Sequence, residues 1–464
     1  QNKTYNRSTS ATLNVGSAAL SGVFDGDTVN LDGSGASGSF ADWDVGDDKA
    51  VTVTGFTKSG GDAGNYTLSQ PTGVTADITA ATLSITGVTV GNKVYNGLDA
   101  ASLNNGSAAL SGVFSGDTVT LDTSGSSATF NNANVGNTKA VTASGYTIGG
   151  AHHSNYVLSQ PTGLTANITA RDLTVTASNV GKTYGSVSFT GTEFTTSGLQ
   201  NGETIGSVTL GVSGAHGTSS SGNYNVGAWT LTASAATGGT FNASNYNISY
   251  ATGTLTISAK ALTVASGVTA QGKTYDGNTT ATLAFSSPTL SGAEGIDDVS
   301  VTGTASGVFA NKNVGNGKTI TVSGLSLAGG DAGNYTLTQP SSLTANVTAA
   351  DLTVTAVDKS MTYGDSTPSY TFTSSGLASG DSITSVSMSD NATSSTSGNK
   401  NFGTWTIAAS GASGASFDAN NYNITYVSGT LSVANTMPSC VQRVCSGYGA
   451  PNVLWRVSAS FCWP

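Results

Sequence analysis

Hydrophobic and polar residues alternate along most of this 464-residue chain. "VTVTG" at 51–55, "LTVTA" at 173–177 and "TITVSGLSL" at 319–327 put every second side chain on one face. Successive strand side chains point to opposite faces, so this spacing predicts half-buried β-strands. Gly, Asn and Asp clusters such as "GDAGN", "NVGNGK" and "SSGN" separate the runs. They supply the positive-φ and side-chain-bonded positions that turns require. No stretch predicts a helix longer than two turns. "SAALSGVFDGD" at 17–27 is the one place where a short helix, closed by Gly-Asp, is expected.

The alternating runs recur in larger blocks. "GSAALSGVFDGDTVNLD" at 16–32 returns as "GSAALSGVFSGDTVTLD" at 106–122, and "AGNYTLSQPTGVTADIT" at 63–79 as "HSNYVLSQPTGLTANIT" at 153–169. The latter returns again as "AGNYTLTQPSSLTANVT" at 332–348. A second block type pairs "RDLTVTASNVGKTYG" at 171–185 with "ADLTVTAVDKSMTYG" at 350–364, and "SNYNISYATGTLTIS" at 244–258 with "NNYNITYVSGTLSVA" at 420–434. Repeats of this length mark an array of small units. The expected modules are 1–80, 81–170 and 260–349 of the first type, and 171–259 and 350–434 of the second. A different segment, 435–464, follows them. The fold class expected is all-β: a tandem array of five small immunoglobulin-like or β-grasp-like modules forming an elongated rod. Globular scaling gives such a rod a length of at least ~150 Å. "TAATLSIT" at 79–86 and "TARDLTVT" at 169–176 run from one module almost straight into the next, which predicts stiff, nearest-neighbour joints.

Two tyrosines recur once per module. A Lys-x-Tyr element, or its variant, places Tyr5, Tyr95, Tyr184, Tyr275 and Tyr363 soon after the module's start. An Asn-Tyr element places Tyr66, Tyr156, Tyr246, Tyr335 and Tyr422 late in it. Each Lys-x-Tyr tyrosine is expected to bury its ring and find a hydroxyl partner at the edge, and the Asn-Tyr tyrosines are read as a second set of structural repeat aromatics. The accompanying lysine either snorkels beside the ring or, in a surface protein, crosslinks to an Asn or Asp.

Charge narrows the function classes. The net charge is −10 and no basic stripe is visible, so no nucleic-acid partner is expected. No run of 18 apolar residues predicts a membrane span. The chain begins at Gln1 without a secretory leader, and so reads as a mature product or an excised fragment. All three cysteines, Cys440, Cys445 and Cys462, lie in the final segment. They are the disulfide candidates, and an odd thiol must remain.

The pattern "KTYDG…ATL…LSG…NVGNGKTITVSGL…GGDAGNYTLTQP…TANVTA" resembles the YDG repeat domain of bacterial surface proteins. "KTYG…GL…GTW…NYNITYVSGTLSV" is similar to the companion MBG repeat domain. The resemblance spans about 1–434. It implies secreted or cell-surface adhesins, often filamentous-haemagglutinin-like and exported by two-partner secretion, in which such repeats form stalks. By the same resemblance the tail is an anchor in the outer-membrane secretion pore; the alternative reading of its cysteines is a small disulfide-stapled cap over the last module.

Catalysis is not expected. The histidines are His152, His153 and His216, and none recurs beside a Ser or Cys that it could activate. His152 and His153 replace "DA" in a "GGDAGN" turn and read as loop drift. No cofactor is expected. Calcium could sit in the acidic loops at 25–27, 42–48 and 295–300, but these do not recur at matching positions, and turn formation explains them. Asn65, Asn167, Asn247, Asn334, Asn346 and Asn423 lie in Asn-x-Ser/Thr triplets, which are glycan acceptors or simply strand composition. Trp43, Trp229 and Trp405 could stack on sugars, although the last two sit inside alternating strands.

The expected function is a stalk or spacer in cell adhesion, on a bacterial surface or secreted. Adhesion to a host or matrix glycan or protein would then use regions outside this chain. The alternatives are a filament subunit that self-associates by strand exchange or tail disulfides, and a calcium- or glycan-binding adhesive module.

Overall fold

The computed structural model describes residues 1–436. Cys440, Cys445 and Cys462 and the proposed pore anchor lie outside the described residues. The fold is all-β, a succession of small β domains. Among the described residues there is no α-helix; only single 3-10 turns occur, each just before the Asn-Tyr tyrosine, as at His153–Asn155. The short helix expected at 17–27 does not form. The equivalent stretch around 107–117 explains why: Ala109–Ser111 is a strand, and the flanking Gly112 and Gly116 have positive φ.

The described chain divides into two compact units, Gln1–Gly217 with Tyr224–Ser258, and Thr218–Asn223 with the described residues from Ala259 onward. Within the first unit, residues 81–170 show the first block type. Its main sheet runs in the order Lys93–Val94, Leu164–Thr169, Gly136–Ser144, Ser127–Phe130, Ala100–Ala101. Its second sheet places Ala81–Thr86 between Ala109–Ser111, which is antiparallel to it, and Tyr156–Ser159, which is parallel. Ala128, Phe130, Val141, Ala143, Ala166 and Ile168 fill the main sheet's inner face at alternate positions, as the period-two pattern requires.

Residues 171–259 show the second block type. A four-stranded sheet orders Val180–Thr183, Gly253–Ser258, Gly227–Thr237 and Ser207–Ser213. A three-stranded sheet centres Arg171–Ala177 between Phe194–Ser197 and Tyr246–Ala251. The second unit repeats both arrangements, at 260–349 and 350–434.

In the three domains of the first type the strand opposite the last strand carries a bulge, at Gly46/Lys49, Gly136/Lys139 and Gly315/Lys318. The bulged residue has positive φ: Asp48 (49°), Thr138 (47°) and Gly317 (59°). Its N–H donates to Asp77, Asn167 or Asn346 across the bulge. A β-branched residue strains at this φ, and only the third copy uses glycine. Thr138→Gly is therefore expected to stabilise its domain by about 1 kcal/mol. Thermal unfolding followed by circular dichroism checks this; a lower midpoint would show that packing of the Thr138 side chain outweighs the strain.

Candidate functional site: the joint between domains

Each Lys-x-Tyr strand pairs in parallel with the last strand of its own domain, with Lys3 opposite Ile78, Lys93 opposite Ile168 and Lys273 opposite Val347. The tyrosine N–H continues that ladder onto Thr79, Thr169 and Thr348 carbonyls. The tyrosine ring is thereby delivered to the domain's end. The lysine works locally. Lys273 donates to Asp276 and to the Asn278 carbonyl and lies over the Phe309 ring, 5.6 Å from its centroid. Lys3 and Lys93 make the matching contacts with their turns and with Phe40 and Phe130. The ammonium thus staples the turn that follows its tyrosine and makes a cation–π contact.

The delivered tyrosine meets the Asn-Tyr tyrosine of the following domain. Tyr5 packs edge-on against Tyr156 (5.3 Å, 74°), Tyr95 against Tyr246 (5.3 Å, 78°) and Tyr275 against Tyr422 (5.4 Å, 79°). All six rings are buried. One carboxylate closes each pair. Asp117 Oδ2 accepts from Tyr5 (2.8 Å) and Tyr156 (2.6 Å). Glu203 accepts from Tyr95 and Tyr246 on separate oxygens. Asp381 Oδ2 accepts from Tyr275 (2.7 Å) and Tyr422 (2.8 Å). The second tyrosine's oxygen also accepts a backbone N–H, from Phe114, Gln200 or Ala378. Every hydroxyl is therefore satisfied, which burial demands.

A buried asparagine adds a second clamp. Asn155 Oδ1 accepts from the Val45 N–H (2.8 Å), and its amide donates to Asp44. Asn245 engages Val135 and Asn134 in the same way, and Asn421 engages Val314 and Asn313. The hydrophobic core is continuous across the joint. One cluster holds Tyr5, Phe40 and Ile78 together with Leu83 and Tyr156. Another holds Tyr275, Phe309 and Val347 together with Leu352 and Tyr422.

Burial alone would push the Asp117 carboxyl up. The Tyr156 and Tyr5 hydroxyls, with His152 and Arg7 nearby, more than offset it and hold it below the usual carboxylate range. Asp381 is likewise held low, by Lys312, Tyr275 and Tyr422. Burial, then the Asp381 carboxylate, push Tyr422 up to about 12, and Tyr5 and Tyr246 are raised for the same reasons. A depressed carboxyl stabilises above its unfolded pKa, near 3.8 here, and that contribution is lost as pH falls through the folded value. A raised tyrosine stabilises below its unfolded pKa of 10, and loses that contribution as pH climbs through the folded value. The joints are thus expected to hold from about pH 4 to pH 10 and to loosen between pH 10 and 12. Tyrosinate absorbance and circular dichroism across that range check the sign; tyrosines ionising near 10 without loss of structure would contradict it.

The sequence reading missed these acids. Its statement that the acidic loops do not recur at matching positions is corrected by the structure for 25–27 and 295–300, which hold equivalent acids. Asp27 accepts from Tyr66, Asp117 from Tyr156, Glu203 from Tyr246, Asp297 from Tyr335 and Asp381 from Tyr422. The signal was available as "GDTV", "GDTV", "GETI", "IDDV" and "GDSI". Reading His152 as loop drift also understates it. Its Nδ1 accepts from the Thr118 N–H (2.9 Å), as Asp62 does from Thr28 and Asp331 from Asp298.

Tyr184 is buried. Tyr363 is half-buried, and its hydroxyl bonds Ser395 locally. Trp229 and Trp405 are half-buried, each donating its indole N–H to the carbonyl four residues back. Trp43 is partly exposed beneath Arg7. Asn167 and Asn346 serve the bulges described above, and Asn247 and Asn423 donate to Asp172 and Asp351. Among the described residues no group of three or more His, Cys, Asp or Glu side chains is placed to hold a metal ion.

The YDG domain family matches residues 1–73, 79–163 and 258–345. The MBG domain family of the YGX type matches 173–256 and 352–432. No curated protein matches the chain. Among solved structures, "Sidekick-1 immunoglobulin domains 1-5" aligns at 11% identity and TM-score 0.21, over 86% of this chain and 88% of that one. Drosophila N-cadherin EC1-4 aligns at 10% identity and TM-score 0.16, over 73% and 98%. The Bacillus anthracis TIE protein aligns at 9% identity and TM-score 0.12, over 90% and 76%. Superpositions this weak carry no argument.

Proposed function

The chain belongs to the YDG domain family, with MBG domains interleaved, and from that premise we propose that it is a stalk segment of a bacterial surface or secreted adhesin. One observation carries this reading: the same tyrosine–carboxylate–tyrosine joint recurs three times with near-identical ring geometry. A binding module needs one exposed face. A spacer needs many equal, rigid connections, and a joint whose buried tyrosine hydroxyls all find partners resists bending. The low charge and the alternation of just two domain types suit a part that sets distance. Among the described residues no helix is long and apolar enough to cross a membrane. A surface location in this reading rests on the family alone.

Electron microscopy of the purified chain, with and without reductant, tests it. Separate straight particles of about 150 Å or more are expected. Flexibly bent strings of beads would sink the stalk reading. Continuous fibres would replace it with a filament subunit, joined through the cysteines if reductant dissolved them.

A further inference from the structure

The three joints agree at their ring pairs, but the one formed within residues 1–170 departs from the repeat at five positions. Arg7 stands where the sister domains have Gly97 and Gly277, and Trp43 where they have Ala133 and Lys312. Asp42 and Asp44 stand where they have Asn132 and Asn134, or Asn311 and Asn313. His152 takes the place of Asp62 and Asp331. In a chain that otherwise repeats itself closely, drift would scatter such differences over the surface. These five converge. Asp42, Trp43, Asp44 and His152, with Thr9 and Ser154, line one open pocket of about 550 Å³. Arg7 lies against the Trp43 ring, 5.9 Å from its centroid.

Arg7 holds that ring in place at the expense of its own backbone. Its φ is 62°, a region that residues with a Cβ disfavour. At the two sister glycines the next domain's loop fills the space, and an added Cβ would collide with Asn201 or with the Ser379 carbonyl. Here the guanidinium fills it instead, donating to the Ser115 carbonyl and pairing with Asp117 Oδ1 at 3.3 Å. Strain that its surroundings hold in place marks a position selected for more than folding. In residues 260–434 the residue at the Trp43 position serves the joint itself: Lys312 bonds Asp381 and lies over the Tyr275 ring. Arg7 supplies the cation here, so Trp43 has no such task, and 38% of its surface stays open. The polar groups around it have bonding capacity left. Asp42 Oδ1 accepts from Lys49 and from the Asp44 N–H, and Asp44 Oδ1 accepts from Asn155, which leaves the second oxygen of each as an acceptor. His152 Nδ1 accepts from the Thr118 N–H, so the neutral ring carries its proton on Nε2 and can donate there.

We propose that this pocket binds one uncharged hexopyranose residue of a glycan. The C–H face of the sugar would stack on the Trp43 indole, whose face is negative and whose body is apolar. Its hydroxyls would donate to Asp42 and Asp44 and accept from His152. An indole flanked by carboxylates suits a ligand that is apolar on one face and carries hydroxyl donors around its edge. The same carboxylates reject uronic and sialic acids, because like charges in one pocket repel. Binding here does not depend on the stalk role: it needs only the local geometry of one joint, and a chain that bends freely elsewhere would keep it.

The test labels the intact chain with 5-fluorotryptophan and assigns Trp43 as the fluorine resonance lost in Trp43→Phe. Methyl β-glucoside, methyl β-galactoside, methyl α-mannoside and N-acetylglucosamine are titrated in, with glucuronate as the charged control. At least one neutral sugar is expected to shift the Trp43 resonance saturably, with a Kd on the order of 1–10 mM for so small a ligand in an open site. Glucuronate should bind about tenfold more weakly or worse. Asp42→Asn and His152→Asp install the residues that the sister domains carry, so folding is not at stake, and each should weaken binding about three- to tenfold. Silence of all four neutral sugars at Trp43 would overturn the proposal, as would glucuronate binding equally well. So would a saturable shift confined to Trp229 or Trp405, or an affinity that neither variant changes.

Discussion

Asp381→Ala is expected to destabilise its joint by about 3–5 kcal/mol, the range for removing one partner of a buried, hydrogen-bonded charge. The Asp381 side chain has no exposed surface, while Lys312 at 2.9 Å remains 38% exposed. The cost therefore comes less from the ion pair than from the two tyrosines. Tyr275 and Tyr422 both donate to one oxygen of this carboxylate in a buried setting. Truncation leaves two buried hydroxyls without an acceptor, each costing about 1–3 kcal/mol. Asp381→Asn keeps one acceptor oxygen and most of the volume, and should cost less than half as much. A repeat array need not unfold in one step, so the readout is amide exchange rather than a single midpoint. Exchange should accelerate at Val314 and Ala378, whose N–H groups bond Asn421 and Tyr422 across and beside the joint. It should stay slow at Leu262 and Ile320 in the strands of residues 260–349. Equal exchange in the variant and the parent chain would show that the carboxylate is not what holds the joint.

Much of the fold was legible in the sequence because its signals are local. The alternation in "LTVTA" at 173–177 sets a strand with Leu173, Val175 and Ala177 inward, and all three are buried. The repeated tyrosines were legible as a periodic feature. Their meeting was not. Tyr5 touches Tyr156, and Tyr275 touches Tyr422, across far more chain than either motif spans. Period and spacing describe one domain at a time, whereas the joint belongs to two. The acids were hidden for another reason. Asp27 and Asp297 sit in clusters of neighbouring carboxylates, whereas Asp117, Glu203 and Asp381 stand alone. Searching for clusters drew attention away from the single position that recurs. The helix expected at 17–27 failed because Ala and Leu propensity is a weak guide where the segment flanks a sheet.

Replacing Tyr275 by alanine and by phenylalanine separates what the ring contributes from what the hydroxyl contributes. Tyr275 is 3% exposed and lies in the core cluster shared by Phe309, Val347, Leu352 and Tyr422. Tyr275→Ala removes the ring, its edge-on contact with Tyr422 and its hydrogen bond together. A loss of about 3–5 kcal/mol is expected, as for other large-to-small changes of buried aromatic residues. Tyr275→Phe keeps the ring and removes only the donor. Asp381 would still accept from Tyr422 and Lys312, so the expected loss is nearer 1 kcal/mol. The ratio of the two losses decides what kind of connection this is. A large gap means that packing fixes the joint and the hydroxyl only selects its register. Nearly equal losses would mean that the carboxylate network fixes it. In that case Tyr275→Phe should not weaken a chain that already carries Asp381→Ala, because residues acting through one network are not additive. Hydrogen exchange on the two single variants and the Tyr275→Phe, Asp381→Ala double variant separates these cases. If Tyr275→Ala left exchange at Val314 and Ala378 unchanged, neither account of the joint would survive.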